Sequence, residues 1–288
     1  MKRIEANAKI NIGLNILEKL PSGYHSLDMV MAPISLADEI EVEYTGRRGE
    51  GADLIITTNK SDIPTGEGNI LYKVYRAYYE KTNLPREEIR VHLIKKIPHE
   101  AGLGGGSSDG GAFLRELNKY HNNLLSLEEM VDLSKGIGAD IPFFLINRCC
   151  RAKGIGEKLE VVENNLECEV ILVKPRFGVS AGEAYANFSR LKKPKAAGIE
   201  KILTGLKENN ISNVLCSIEN HLEQGLILTN GDINEFKDRL LTVSDMKFFM
   251  SGSGSTYFTL VKRNIAQETY KTLKNLFKDC EVYLCNFL

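Results

Sequence analysis

A mixed α+β chain in two domains is what this sequence predicts, on three observations. Its 288 residues exceed the usual size of one domain. The N-terminal segment alternates polar and apolar residues with the period of a strand. A strand, a glycine-rich loop and a helix then follow one another around Pro98–Ser108, and the chain closes with strand, helix, strand. The pattern puts the domain boundary near residue 153, at the turn Gly154-Ile155-Gly156, giving domains 1–153 and 154–288.

In the first strand Ile4, Ala6, Ala8, Ile10, Ile12, Leu14 and Ile16 alternate with Arg3, Glu5, Asn7, Lys9, Asn11 and Asn15. Side chains of a strand switch faces at each residue, so Lys9 and Asn11 share a polar face opposite the isoleucines. Residues 19–23 read as a turn. Ile40, Val42 and Tyr44 alternate with Glu41 and Glu43 as a second strand, and Asp53–Thr58 reads as a third. Leu71, Val74, Tyr75, Tyr78 and Tyr79 have helical spacing, and Arg90–Ile97 returns to strand with Val91, Leu93 and Lys95 on one side. After the glycine loop, Phe113, Leu114, Leu117 and Tyr120 mark a helix face. Ser126 with Glu129 forms a capping box, and Gly136-Ile137-Gly138 ends the short helix it opens. Farther on, strands are expected at 167–173, 247–250, 255–261 and 280–287, with helices at 181–191, 199–207, 214–226, 233–241 and 265–277.

Thirty-seven basic residues nearly balance thirty-eight acidic ones, so no global field draws the protein to nucleic acid or to an anionic membrane. The start, MKRIEANAKINIGL, lacks the apolar core of an export signal, and no apolar run reaches bilayer length. A cytoplasmic protein is expected. The six cysteines form no C-x-x-C pair and no zinc spacing, which favours reduced structural thiols.

The stretch Pro98-His99-Glu100-Ala101-Gly102-Leu103-Gly104-Gly105-Gly106-Ser107-Ser108 is the strongest chemical signal. Glycines let successive backbone N–H groups turn inward, and the helix that follows adds its own unpaired amides and positive dipole end, so phosphate is the expected guest. A loop that is merely flexible is the competing reading. No Gly-Lys-Ser/Thr follows, which excludes a Walker A loop, and a dinucleotide fingerprint fails because its third glycine falls at Ser107.

Phosphoryl transfer also needs a group for the proton of the attacking hydroxyl and positive charge near the phosphate oxygens. Asp140, within Gly138-Ala139-Asp140-Ile141-Pro142-Phe143, fits that role, and it fits a helix N-cap before proline equally well. Lys9 reads either as a solvated strand lysine or as the wall of a polar cleft beside the strand's asparagines; near Asp140 it would keep that carboxylate ionised. Ser107 is a helix cap or a magnesium contact. Tyr24-His25 are surface residues or a platform for a heterocycle, and Ser251-Gly252-Ser253-Gly254-Ser255 is by default a turn between strands.

Ala8-Lys9-Ile10-Asn11, Pro98–Ser108 and Ser251–Ser255, in this order along the whole chain, resemble the three motifs of the GHMP kinase superfamily of galactokinase, homoserine kinase, mevalonate kinase and phosphomevalonate kinase. Within it, Gly23-Tyr24-His25 and the segment at Gly138–Phe143 are most similar to the branch whose acceptor is a cytidine-diphosphate-linked methylerythritol. The resemblance implies an N-terminal ribosomal-protein-like domain with a left-handed βαβ unit, a ferredoxin-like C-terminal domain, and an ATP- and Mg2+-dependent kinase that is a monomer or homodimer. By the same resemblance Lys9 and Asp140 are the catalytic pair, Asn69 and Lys95 lie near adenine, Asn11, Tyr24 and His25 lie on the acceptor side, and Tyr185 stacks on cytosine opposite Tyr24. Arg148-Cys149-Cys150, Ala181 and His221 depart from the pattern on the acceptor side. A mevalonate-like or homoserine acceptor, and a non-catalytic ligand sensor on the same fold, are the alternatives.

Overall fold

Strand β1 (Lys2–Lys19) realises the N-terminal alternation in the computed structural model, which describes residues 1–21, 23–244 and 246–288. Both of its faces are covered. Ile10 and Ile12 are fully buried, and the polar Lys9, Asn11 and Asn15 are buried as well. The predicted turn at 19–23 is closed by the Gly23 amide on the Leu20 carbonyl at 2.9 Å, and its Ser22 lies outside the described residues. Strand β2 (His25–Arg48) then pairs with β1; it is far longer than the Ile40–Tyr44 core read from the sequence.

The chain forms two units. One comprises Met1–Ala8, Leu36–Ile97 and Gly104–Asn147, the other Lys9–Ser35, Pro98–Leu103 and Arg148–Leu288. Segments 9–35 and 98–103 thus join the C-terminal half.

In the first unit β3 (Leu54–Thr58), α1 (Ile70–Thr82) and β4 (Glu87–Ile94) form a parallel βαβ unit with Leu54 opposite Ile89. Strand β4 also pairs antiparallel with the second half of β2, Ile40 opposite Leu93. Leu71, Val74, Tyr75, Tyr78 and Tyr79 of α1 are buried, as their spacing requires, and share a core with Val91 and Leu93 of β4 and with Phe113 and Leu117 of α2 (Gly105–Tyr120). Helix α3 (Leu127–Ser134) opens on the expected capping box between Ser126 and Glu129, and α4 (Ile141–Ile146) follows Asp140. Strand β4 stops at Ile94, short of the predicted Ile97. The cause is Asp38, whose carboxylate accepts the backbone amides of Lys96 at 2.5 Å and Ile97 at 2.8 Å and so replaces the ladder there.

In the second unit β5 (Cys150–Gly154) pairs with the first half of β2 and with β6 (Lys158–Val161), a hairpin that the sequence reading did not find. Strand β7 (Cys168–Lys174) leads into helices α5 (Ala181–Phe188), α6 (Ile199–Lys207), α7 (Ile211–Ser217), α8 (His221–Ile227) and α9 (Gly231–Leu241). Strand β8 (Phe249–Met250), β9 (Tyr257–Lys262), α10 (Arg263–Leu276) and β10 (Glu281–Asn286) complete it. The sheet order is β10-β7-β9-β8, the 4-1-3-2 order of a ferredoxin-like fold, with every recorded pair antiparallel. The single helix expected at 214–226 is two helices. Ile218 is extended, and the Asn220 side chain caps α8 through the Leu222 amide at 2.9 Å.

No helix among the described residues is long and apolar enough to cross a membrane. Replacing Ser126 by Ala removes half of the capping box, and we expect a loss of about 1 kcal/mol of stability in urea unfolding; a change within a few tenths would show that the box contributes little.

Candidate active site

Lys9 is only 5% exposed, which excludes the solvated-lysine reading. Its ammonium donates to Oδ1 of Asn11 at 2.5 Å, so the two residues that period two placed on one face are hydrogen-bonded there. The Lys9 backbone amide meets the Leu103 carbonyl at 3.0 Å and thereby fixes the first half of the glycine loop against β1. The segment at Ser251–Ser255 is more than a turn. Ser251 Oγ donates to the Gly102 carbonyl at 3.0 Å, and the amides of Ser255 and Thr256 reach the Glu100 and Ala101 carbonyls at 3.4 and 3.3 Å.

Two glycines make this approach possible. Gly102 has φ +70°, and a Cβ there would lie 2.0 Å from the Ser251 carbonyl oxygen. Gly252 has φ +54°, and a Cβ there would lie 2.9 Å from Lys9 Nζ. Both positions require the left-handed region and the space that only glycine leaves.

In the first unit the rest of the loop enters α2. Gly104, left-handed at φ 73°, is the N-cap residue, without a side-chain cap, and α2 starts at Gly105. The capping role weighed for Ser107 is therefore corrected: Ser107 lies in the first turn, where the cap is already a glycine. Ser108 donates to the Asn7 carbonyl at 2.6 Å, anchoring this turn on β1. The free amides of the first turn and the helix dipole make it a seat for an anion.

Asp140 occupies the N-cap position of α4, yet its side chain makes no capping hydrogen bond, so the cap reading does not account for the carboxylate. Lys95 is held by the buried carboxylates of Asp38 and Asp109; the Asp109 contact is 2.6 Å. Burial alone lowers the Lys95 ammonium, and Asp109 and Asp38 together outweigh it and raise it. Burial raises Asp109, which Lys95 only partly offsets. Asn69 caps α1 by accepting from the Leu71 amide at 2.9 Å and donates to the Pro64 carbonyl at 2.6 Å, so both ends of its amide are engaged.

Back in the second unit, Tyr24 is exposed, and Tyr185 stacks on His25, with centroids 5.4 Å apart at 15°. Phe188 meets the edge of His25 at 6.1 Å. Burial, with the positive charge of Lys19, lowers the His25 imidazole below its ordinary value and keeps it neutral at pH 7. Two residues important to this architecture carried no assigned role in the sequence reading: Asp38 and Asn220. Nothing in local spacing marks Asp38, whereas Asn220 sits in a recognisable Asn-x-Leu-Glu pattern.

Fold and motifs together define a small-molecule kinase of the GHMP class. The family model described as GHMP kinases N terminal domain matches residues 69–148. A relative from Fusobacterium nucleatum, 4-diphosphocytidyl-2-C-methyl-D-erythritol kinase, is 45% identical over 98% of this chain and 96% of its own. One of the same name from Carboxydothermus hydrogenoformans is 38% identical over 94% and 92%. The chain belongs to the 4-diphosphocytidyl-2-C-methyl-D-erythritol kinase family. A crystal structure of 4-(cytidine 5'-diphospho)-2C-methyl-D-erythritol kinase superposes at TM-score 0.81 with 27% identity over 99% of each chain. The homoserine kinase from Cytophaga hutchinsonii, at TM-score 0.72 and 17% identity over 100% of this chain and 95% of that one, shares the fold.

Gly102→Ala places a methyl group inside the Ser251 carbonyl, and overpacking of about 1–3 kcal/mol lowers the thermal midpoint by roughly 2–10 °C. An unchanged midpoint in differential scanning calorimetry would show that the loop is not held as described.

Proposed function

We propose that this kinase transfers the γ-phosphoryl group of ATP to the 2-hydroxyl of 4-diphosphocytidyl-2-C-methyl-D-erythritol, a step of the non-mevalonate route to isoprenoid precursors in the cytoplasm. The observation that carries the reading is the buried Lys9–Asn11 pair against the glycine loop, in a chain whose full-length relatives bear that enzyme's name.

Asp140, at the N-cap position of α4, accepts the proton of the acceptor hydroxyl as it attacks. Lys9 stabilises the charge that develops on the transferring group; burial makes that charge act strongly. The amides of Gly104–Ser108 at the start of α2 receive the phosphates. Magnesium enters with ATP as the Mg-ATP substrate. A Cβ at Gly106 would meet nothing within 4 Å, which leaves room beside Ser107 for a hydroxyl–magnesium contact. On the adenine side Lys95 presents its anchored ammonium, while Asn69 acts by holding the first turn of α1. Asn11, Tyr24, His25 and Tyr185 form the acceptor side, where the stacked His25–Tyr185 pair and the exposed Tyr24 supply aromatic faces for cytosine.

ADP release with Mg-ATP tests the reading. Turnover with the cytidyl methylerythritol, and none with mevalonate, phosphomevalonate or homoserine, is expected; turnover with one of these alone changes the acceptor, and nucleotide binding without turnover makes the protein a sensor. Asp140→Asn lowers kcat by about 100-fold or more with the Kd for ATP within twofold. Tyr24→Ala raises the KM for the acceptor more than that for ATP, and equal effects on both would remove cytosine stacking from the proposal.

A further inference from the structure

We propose that Asn220 is a positioning residue for Lys9, setting where its ammonium stands by holding the Met250–Gly252 loop in place. The inference rests on the reading of Lys9 as catalytic. Asn220 is 2% exposed and uses its whole amide: Oδ1 accepts from the Leu222 amide, and Nδ2 donates to the carbonyls of Met250 and Gly252, each at 2.8 Å. Its backbone is tied to the strand that carries Lys9, because Leu14 of β1 forms a parallel bridge with Asn220 and donates its amide to the Glu219 carbonyl at 2.9 Å.

Gly252 connects this anchor to the chemistry. The residue whose carbonyl Asn220 holds is also the one whose absent Cβ would stand 2.9 Å from Lys9 Nζ and 3.1 Å from Asn11 Oδ1. A shift of this loop toward β1 presses on the ammonium, and a shift away opens space beside it into which it can move. Two hydrogen bonds from one buried amide fix the loop at this level, and a displacement of about 1 Å at a reacting group costs up to 100-fold in rate. Asn220 therefore acts on kcat through Lys9 and not on either substrate directly.

The isosteric Asn220→Asp keeps the oxygen that caps α8 and turns the other end against two carbonyls. We expect its kcat to fall about 10–100-fold, with both KM values within about threefold. In a Lys9→Ala background, followed over long single-turnover incubations, Asn220→Asp should cause no further loss. Losses that multiply, or an unchanged kcat for folded Asn220→Asp, overturn the proposal. If Asn220→Asp does not fold, Gly252→Ala tests the same contact with Asn220 intact. The same kcat-selective loss is expected, and full kcat overturns it. Lys9→Ala at the wild-type rate would instead overturn the catalytic reading of Lys9, and this proposal with it.

Discussion

A charged amine buried on a strand is the constraint around which the second unit is arranged. An ammonium that is 5% exposed is costly unless it is hydrogen-bonded, and Asn11, two residues on and therefore on the same face, supplies an oxygen at 2.5 Å. Gly252 leaves the space beside the Lys9 ammonium, and Gly102 lets its loop meet the Ser251–Gly254 backbone, since a Cβ at either would collide. Such close backbone needs its own carbonyls satisfied. Ser251 provides for Gly102, and Asn220 for Met250 and Gly252. Removing any of these groups leaves a buried partner unpaired, which explains why so many short-range contacts converge on one loop.

The first unit solves the related problem of fixing a lysine near a helix start with two carboxylates. Asp38 is fully buried, and one of its oxygens accepts two backbone amides while the other meets Lys95, so a single side chain terminates β4 and orients the lysine that follows it. A buried ammonium bonded to two acids is firmly held, and loss of Lys95 would leave two buried acids without their cation. Lys95 is thereby set beside α2, its Nζ 3.4 Å from where a Cβ of Gly105 would be. The helix start thus has a nearby cation whose position does not depend on a bound anion.

What the sequence disclosed was whatever local period or local chemistry encodes. The Lys9–Asn11 pairing follows from period two, the α1 face from helical spacing, and the α3 start from Ser126 and Glu129. The break before α8 was hidden because Val214, Ile218, Leu222 and Leu226 keep helical spacing straight through it, all four being buried. It is the Asn220 amide, bonded to residues about thirty positions later, that interrupts the helix. Asp38 escaped notice for the same reason: its partners lie almost sixty residues on. In the β5–β6 hairpin Cys150 and Ala152 alternate with Arg151 and Lys153, and Leu159 and Val161 with Lys158 and Glu160, but the strands are only 5 and 4 residues long, too short for the period to stand out.

His221, a departure from the family pattern, shows how such a residue is accommodated. Its Nδ1 accepts the Ile16 amide of β1 at 3.0 Å, and its ring stacks on Phe188 at 5.6 Å and 8°. Burial lowers its pKa, so it remains a neutral ring that can stack against an apolar one. An acid at this position could take the same amide hydrogen bond but could not supply the aromatic face. Phe188 in turn meets His25, which stacks on Tyr185, so the rings from His221 to Tyr185 form one continuous series. Phe188, His25 and Tyr185 are therefore braced from β1 through packing that an acid would lack, so a histidine at this position bears on how α5 is held.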